Sequence, residues 1–197
     1  LTVVIGSAWK GNGAPAAQTG KEKGAEPKAA EVESEKAEET RSETGAAETF
    51  GAYADGSLIP LEEVNDPTFA QKILGDGVAI LPSGGTVYAP ADGTVQSIFD
   101  TKHAVCLETD LGNSILIHIG IDTVKLGGKH FTAHVKDGDR VKQGDILVEF
   151  DLDAVKAEGY DTVIPMIFPE LGETAVLEKQ GRKTVRAGEP VAALASK

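Results

Sequence analysis

The chain has 197 residues, with 31 acidic and 19 basic side chains and a formal net charge of −12. A chain this acidic is a poor candidate for binding nucleic acid or anionic lipid, because phosphate contacts need clustered Lys and Arg. No apolar run reaches the length of about 18 residues that a membrane-spanning helix needs. The single cysteine, Cys106, cannot form an internal disulfide, which predicts a reducing compartment.

The first 49 residues differ in composition from the rest of the chain. Residues 1–9 are apolar but short, whereas residues 11–48 are rich in Ala, Glu and Lys and contain one large apolar side chain, Val32. Such a segment buries too little apolar surface to offset the entropy of ordering. We predict an apolar stub and a flexible tether, with a solvated single helix as the alternative. Because the first residue is Leu1, we expect the chain to be a piece of a longer polypeptide.

From residue 50 onward, short apolar runs alternate with glycine turns. The runs are rich in Val, Ile and Thr, and turn residues recur about every 8–12 positions, a pattern typical of an all-β sandwich or barrel. Two short helices are expected, Pro67–Ile73 with Asp66 as its N-cap, and Leu152–Glu158. We therefore predict one antiparallel β-sandwich domain over residues 50–197.

A similar turn sequence occurs twice in this region. Val141–Leu147 reads VKQGDIL and Val185–Val191 reads VRAGEPV, at a constant offset of 44 residues. The pattern of a valine, a basic residue, a glycine and an acidic residue is typical of a turn between two strands. Either the domain contains an internal duplication, or two unrelated β-turns resemble each other.

The histidines offer a candidate site. In the predicted strand 114–122 isoleucines alternate with other residues, so the isoleucine face is core and His118 lies opposite it, beside Gly120. A turn within residues 110–113 joins this strand to the segment that holds His103. With an even number of loop residues, His103 lies diagonal to His118 or directly opposite it. An odd number would place the two side chains on opposite faces.

Two further expectations depend on that register. Cys106 would lie on the isoleucine face, as a small core residue. Gly120 would leave the space beside both imidazoles empty, so that a phosphate or a partner side chain could enter.

Two convergent imidazoles are compatible with several chemistries. They could bind a metal with a third protein ligand, act as a general acid and base, or carry a phosphoryl group covalently. In phosphoryl carriage one neutral imidazole is the nucleophile, and the other donates a hydrogen bond to the transferring oxygens. Two surface histidines without a role are the remaining alternative.

Three motifs decide among these chemistries. They are TKHA (residues 101–104), LIHIGIDTVKL (116–126) and VKDGDRVKQGDILVEFD (135–151). With them, residues 58–194 resemble the glucose-type IIA components of the bacterial phosphoenolpyruvate-dependent sugar phosphotransferase system. The resemblance implies an antiparallel β-sandwich of the duplicated hybrid motif type with few short helices, and no cofactor or metal.

The same resemblance implies a function and a site. His118 would be phosphorylated on Nε2 by the phosphocarrier protein HPr, and would pass the group to a cysteine of a IIB domain. His103 would support transfer, with Thr101 hydrogen-bonded nearby. The remaining expected partner-binding residues are two rim carboxylates, an apolar contact and the glycine of the motif: Asp66, Asp122, Phe69 and Gly120. The IIB domain would serve a membrane IIC domain, in the same polypeptide or a separate one, with this segment in the cytoplasm.

Three other functions are compatible with parts of the sequence. A regulatory protein-binding module controlled by phosphorylation of His118 would use the same face. Biotinyl and lipoyl carrier domains have similar turn sequences but need a lysine flanked by methionine, and Met166 has no adjacent lysine. A zinc endopeptidase would need an HxH motif, whereas His130 and His134 are spaced HxxxH, so we interpret them as solvated strand residues.

Overall fold

The structure is a computed structural model that describes residues 47–171 and 175–196. The predicted stub and all but the last residues of the predicted tether, 1–46, lie outside the described residues. The described strands pair antiparallel, as the sequence predicts. In chain order the strands are β1 (Glu48–Gly51), β2 (Gly56–Pro60), β3 (Asp76–Pro82), β4 (Thr86–Tyr88), β5 (Gly93–Ile98), β6 (Ala104–Thr109), β7 (Ser114–His118), β8 (Phe131–Ala133), β9 (Arg140–Val141), β10 (Ile146–Phe150), β11 (Ile164–Phe168), β12 (Ala175–Lys179), β13 (Lys183–Val185) and β14 (Pro190–Ser196).

Short helices connect some of these strands. The α-helices are α1 (Pro67–Ala70) and α2 (Leu152–Ala157), and 3-10 helices lie at Leu61–Glu63 and Thr123–Leu126. Among residues 47–171 and 175–196, no helix is long and apolar enough to cross a membrane.

The strands form three sheets around one main core. The largest sheet has the order β13-β2-β3-β11-β7-β6-β5-β9, and the two smaller sheets are β1-β14-β12 and β4-β10-β8. Side chains from all three sheets, among them Phe50, Ile117 and Phe150, bury their apolar surface together. A second, smaller cluster lies under α1 and includes Phe69 and Ile167. This second cluster supports the candidate site described below.

The folded part begins slightly before the predicted boundary at residue 50. Glu48 already pairs with Leu194 in the β1–β14 ladder. Its carboxylate accepts a hydrogen bond of 2.9 Å from Thr109 Oγ1. Backbone pairing and this polar contact place Glu48 in the folded part, and amino-acid composition indicates neither of these interactions.

Both predicted helices form, but each is shorter than expected. Asp66 caps α1 as predicted, because its side chain accepts a hydrogen bond from the Thr68 N–H at 2.8 Å. The helix ends at Ala70 rather than at Ile73, since Lys72 has a left-handed φ of 57° that α-helix geometry does not allow. The second helix ends one residue before Glu158, which is its C-cap.

The two similar turn sequences have the same structure. Gly144 and Gly188 have φ values of 91° and 87°, in the left-handed region that glycine tolerates. Their N–H groups donate to Ala89 at 2.9 Å and to Ala52 at 2.8 Å.

A further pair of contacts completes the match. The carboxylate of Asp92 accepts from the Gln143 N–H, and that of Asp55 accepts from the Ala187 N–H, both at 2.8 Å. These aspartates lie in the related segments APADG (89–93) and AYADG (52–56). The domain therefore contains an internal duplication, each copy of which places one turn against one Ala-x-Ala-Asp-Gly segment.

Candidate functional site

The hairpin formed by β6 and β7 carries both candidate histidines. Ala104 lies opposite His118, and Leu107 lies opposite Ile115. This pairing is shifted by one residue from both even-loop alternatives, so the predicted register is wrong. If both residues continued the strict alternation of their strands, the observed pairing would place the side chains of His103 and His118 on opposite faces of the sheet.

The two imidazoles nevertheless converge, because both residues lie where their strands end. β6 begins at Ala104 and β7 ends at His118, and Lys102 has a left-handed φ of 58° that redirects the chain just before His103. The ring centroids of His103 and His118 lie 5.0 Å apart, with an interplanar angle of 81°. Ile119 N still donates to the carbonyl of His103 at 2.7 Å, which fixes the backbone between the two rings.

His118 presents one free ring nitrogen. Its Nδ1 lies 2.7 Å from the carbonyl oxygen of Gly120, so Nδ1 carries the proton and donates it to that carbonyl. The lone pair is then on Nε2. Burial lowers the pKa of His118, and the Gly120 carbonyl and the carboxylates of Asp66 and Asp122 partly oppose that effect. The imidazole is therefore neutral at pH 7 and able to act as a nucleophile.

His103 is the more deeply buried of the two, with an exposed fraction of 5%. Burial, and to a smaller extent the neighbouring charge of protonated His118, lower the pKa of His103 to about 4. The hydroxyl of Thr101 lies 2.5 Å from Nδ1. When that hydroxyl donates to Nδ1, the ring proton of His103 is on Nε2, where it can serve as a hydrogen-bond donor.

Aromatic side chains flank the imidazoles on two sides. The ring of Phe69, on α1, lies 5.2 Å from that of His118, and the ring of Phe99 lies 5.3 Å from that of His103. Phe69 is buried, whereas Phe99 has an exposed fraction of 47%. Phe69 was among the residues predicted from the sequence, whereas Phe99 was not. The available signal was an aromatic residue at the end of β5, directly before the turn that leads to His103.

Two carboxylates lie within electrostatic reach of His118, since both raise its pKa. Asp66 is half-buried at the N-terminus of α1. Asp122 is exposed, has a left-handed φ of 63°, and forms a 2.6 Å ion pair with Lys125. These two residues, with Phe69 and Phe99, form what we call the rim of the site.

Gly120 serves a different purpose from the one expected. It has a left-handed φ of 76°, and a Cβ atom at this position would lie 2.5 Å from Thr123 Cγ2 and 2.8 Å from the carbonyl oxygen of Asp161. The space that the missing side chain was expected to leave empty is therefore filled by Thr123 and Asp161. Glycine is needed here for the backbone conformation and for the close approach of neighbouring chain.

Cys106 also lies on a different face from the one predicted. It pairs with Leu116 rather than sharing the face of Ile115 and Ile117, and it is half-buried instead of fully buried. The cause is the register, because a shift of one residue moves a strand side chain to the other face.

The remaining histidines lie beside glutamates. His134 Nε2 is 2.6 Å from Glu149, and His130 Nε2 is 3.4 Å from Glu158. Over the described ranges 47–171 and 175–196, no three His, Cys, Asp or Glu side chains gather closely enough to hold a metal ion. A metal-dependent reaction at His130 and His134 thus has no geometric support in this part of the chain.

Comparison with known proteins agrees with this geometry. Residues 48–174 match the family described as phosphoenolpyruvate-dependent sugar phosphotransferase system, EIIA 1. The chain belongs to this EIIA family. It is a component of a sugar phosphotransferase system, as the sequence motifs predicted, and the zinc endopeptidase and carrier-domain alternatives lose their basis.

Similar proteins support the assignment of this EIIA chain. A glucose-specific EIIA component of Halalkalibacterium halodurans is 49% identical over 142 residues, which cover 72% of this chain and 82% of that protein. A glucose-specific EIICBA component of Streptococcus pneumoniae is 48% identical over 130 residues, 65% of this chain and 18% of that protein. The structure of a glucose permease IIA from Mycoplasma capricolum has a TM-score of 0.71 and 38% identity, covering 75% of this chain and 96% of that one. This last match confirms the β-sandwich fold.

Proposed function

We propose that this EIIA chain carries a phosphoryl group on His118 Nε2, between a phosphohistidine of HPr and a cysteine of a IIB domain. The observation that carries the proposal is the hydrogen bond from His118 Nδ1 to the Gly120 carbonyl. It leaves Nε2 as the only unprotonated ring nitrogen, next to a second neutral imidazole 5.0 Å away. A nucleophile and a neighbouring donor are what covalent phosphoryl carriage requires.

The proposed acceptance step has a simple bond balance. The Nε2 lone pair of His118 forms the new P–N bond as the P–N bond to the histidine of HPr breaks, and the electron pair of the broken bond returns to that histidine. The Nε2–H of His103 donates to a phosphoryl oxygen and stabilises charge on the group in transit. In the second step a cysteine thiolate of IIB attacks the phosphorus, and the P–N bond to His118 breaks.

The rim would guide both partners to the site. Phe99 supplies exposed apolar surface beside His103, and the carboxylates of Asp66 and Asp122 add negative charge near His118. Negative surface charge attracts basic partner surfaces and raises association rates. Burial of Phe69 against His118 also keeps water away from one side of the imidazole.

A phosphorylation assay tests the first step. The chain is incubated with phosphoenolpyruvate and the two general proteins of the phosphotransferase system, one of them HPr, and the phosphorylated residue is located by mass spectrometry. We expect one phosphoryl group on His118, none in His118→Ala, and normal labelling in His134→Ala, which changes an exposed histidine away from the site. Labelling that persists in His118→Ala would overturn the proposal.

The role of His103 is tested separately. We expect His103→Gln to accept phosphate from HPr and to pass it to IIB more slowly, because the amide cannot fully replace the imidazole that supports the group in transit. Rapid-quench measurement of both half-reactions, with pre-phosphorylated protein for the second, separates the two steps. If both rates equalled those of the wild-type chain, His103 would have no supporting role.

We also propose that the IIB acceptor belongs to a permease with a membrane IIC domain, and that transfer takes place in the cytoplasm. The similar protein of Streptococcus pneumoniae is named an EIICBA component, which supports a IIA domain that works with IIB and IIC. A tether of flexible composition at residues 11–46 would suit a domain that alternates between HPr and IIB.

A further inference from the structure

We infer that Thr123 is a positioning residue for this transfer. Its hydroxyl closes the turn 119–123 and thereby fixes the Gly120 carbonyl, which in turn keeps the proton of His118 on Nδ1. The functional part of this inference rests on the proposed phosphoryl carriage, whereas its structural part, the control of the His118 tautomer, does not.

Thr123 is a buried polar residue that the proposed chemistry leaves unused. Its side chain is fully buried, with an exposed fraction of 0%. Its Oγ1 donates to the carbonyl oxygen of Ile119 at 2.5 Å, four residues earlier in the chain. A buried hydroxyl is costly unless it is hydrogen-bonded, so this contact links the two ends of the turn firmly.

The turn between these ends needs such a link. Gly120 and Asp122 both have left-handed φ values, 76° and 63°, and the aspartate pays a steric cost for that conformation. The methyl group of Thr123 fills the space where a Cβ of residue 120 would lie. The hydroxyl and the methyl of one side chain therefore hold the start of the turn and its glycine.

The other side of the turn is held by a distant segment. Gly120 N donates to the carbonyl of Val163 at 3.0 Å, and Ile121 N donates to that of Asp161 at 2.9 Å. These bonds fix the N–H groups of the turn. The Gly120 carbonyl points away from them towards His118 Nδ1, at 2.7 Å. The position of the Gly120 carbonyl thus depends on two sets of contacts. One is the pair of backbone hydrogen bonds to residues 161 and 163, and the other is the side-chain hydrogen bond of Thr123.

The chemical consequence concerns the tautomer of His118. A neutral imidazole carries its proton on one of two nitrogens, and the acceptor nearby selects which. If the Gly120 carbonyl moves away, the Nε2–H tautomer gains population, and that tautomer has no lone pair on Nε2 with which to attack phosphorus. Loosening the turn should therefore slow phosphoryl acceptance even when HPr binds normally.

The experiment compares three variants of the full chain. Thr123→Val keeps the shape and removes the hydroxyl, whereas Thr123→Ser keeps the hydroxyl and removes the methyl. Thr132→Val makes the same change as the first variant at an exposed threonine on β8. The ¹⁵N shifts of His118 report the tautomer in the unphosphorylated protein, and rapid-quench assays with phospho-HPr give the rate at saturation and the KM.

In Thr123→Val we expect both tautomers of His118 to be populated. Acceptance at saturating HPr should fall about tenfold, which corresponds to the loss of one buried hydrogen bond, with KM changed by less than about twofold. Thr123→Ser should recover most of the rate, and Thr132→Val should resemble the wild-type chain. A single Nδ1–H tautomer with an unchanged rate in Thr123→Val would overturn the inference, and so would a Thr123→Ser variant as slow as Thr123→Val.

The wild-type chain provides a second measurement in case Thr123→Val does not fold. The Thr123 hydroxyl proton should exchange slowly enough with water to be seen by NMR, because it is buried and bonded to a carbonyl. Rapid exchange would overturn the inference. If His118 tautomers shift in Thr123→Val while the wild-type chain takes no phosphate on His118, the positioning role stands and the proposed function falls.

Discussion

At the scale of single residues, the candidate site contains two imidazoles whose pKa values are both lowered by burial but which differ in the groups around them. His118 is partly shielded, and a carbonyl and two carboxylates oppose the effect of its burial. His103 lacks such opposing groups, and the pKa of its imidazole falls to about 4. The imidazole of His103 therefore stays neutral across a wider pH range than that of His118.

The low pKa of His103 predicts a pH dependence of stability. In the unfolded chain this imidazole has a pKa near 6.5, so between about pH 4 and pH 6.5 the unfolded state binds more protons than the folded state. The contribution of neutral His103 to the free energy of unfolding is thus complete above about pH 6.5 and is lost as the pH falls towards 4. Urea unfolding between pH 4 and 8 should show stability rising with pH, and His103→Gln should flatten that rise.

An NMR titration measures the same property directly. The ring proton signals of His103 should not move until the pH approaches about 4, well below the range in which unperturbed histidines titrate. A midpoint near 6.5 for His103, or an unchanged pH dependence of stability in His103→Gln, would contradict the prediction.

The pairing of the two histidines shows how far the sequence could predict the site. Isoleucine alternation correctly placed Ile115, Ile117 and Ile119 in the core. It could not predict the register, because the loop between the paired residues Glu108 and Ser114 has an odd number of residues and the sequence does not indicate that number. The rings meet because both histidines lie at strand ends and because Lys102 adopts a left-handed conformation, which no local sequence pattern predicts for a lysine.

At the scale of elements, α1 links the folded core to the rim. It is one turn long, so its own hydrogen bonds contribute little, and its stability comes from its cap and from Phe69 packed in the cluster below. The sequence predicted this helix and its cap because Asp66 and Pro67 are strong start signals. It overestimated the length, since nothing in the residue types signals the left-handed Lys72.

Asp66 has two roles that substitutions can separate. Asparagine caps helices as well as aspartate does, so Asp66→Asn should keep the 2.8 Å contact with the Thr68 N–H and leave stability almost unchanged. Asp66→Ala should lose about 1 kcal/mol of unfolding free energy. Both variants remove the rim charge, so both should bind HPr several-fold more weakly at low salt, and less so at high salt.

Urea unfolding and calorimetric titration with HPr at two salt concentrations give both quantities. If Asp66→Asn bound HPr as tightly as the wild-type chain at low salt, the carboxylate would be a helix cap only. If it lost as much stability as Asp66→Ala, the capping interpretation would be wrong.

At the scale of the whole molecule, the duplication creates two matching positions, and His118 occupies only one of them. Counted from the two edges of the eight-stranded sheet, β3 and β11 occupy the same places as β6 and β7. Ala104 opposes His118 in one pair, and Gly77 opposes Ile167 in the other. Ile167 is fully buried beneath α1, so the second copy uses the equivalent position for packing. The similar turn sequences indicated the duplication. They could not indicate that His118 and Ile167 occupy equivalent positions, because the two side chains have nothing in common.

The duplication also predicts matched energetic effects in its two copies. Asp55 and Asp92 are exposed, and each accepts one hydrogen bond of 2.8 Å from the backbone of the turn that packs against it, at Ala187 and Gln143 respectively. Replacing either aspartate with alanine should cost about 1 kcal/mol of unfolding free energy, because one turn N–H loses its partner. The double variant should lose about 2 kcal/mol, since the two contacts share no residue.

Asparagine at either position keeps an acceptor oxygen and should cost only a few tenths of a kcal/mol. Urea unfolding of the four single variants and the double variant measures these differences, and phosphorylation of His118 should be unaffected because neither aspartate contacts the site. If the loss of unfolding free energy were several times larger in one copy than in the other, the two copies would match in geometry but contribute unequally to stability.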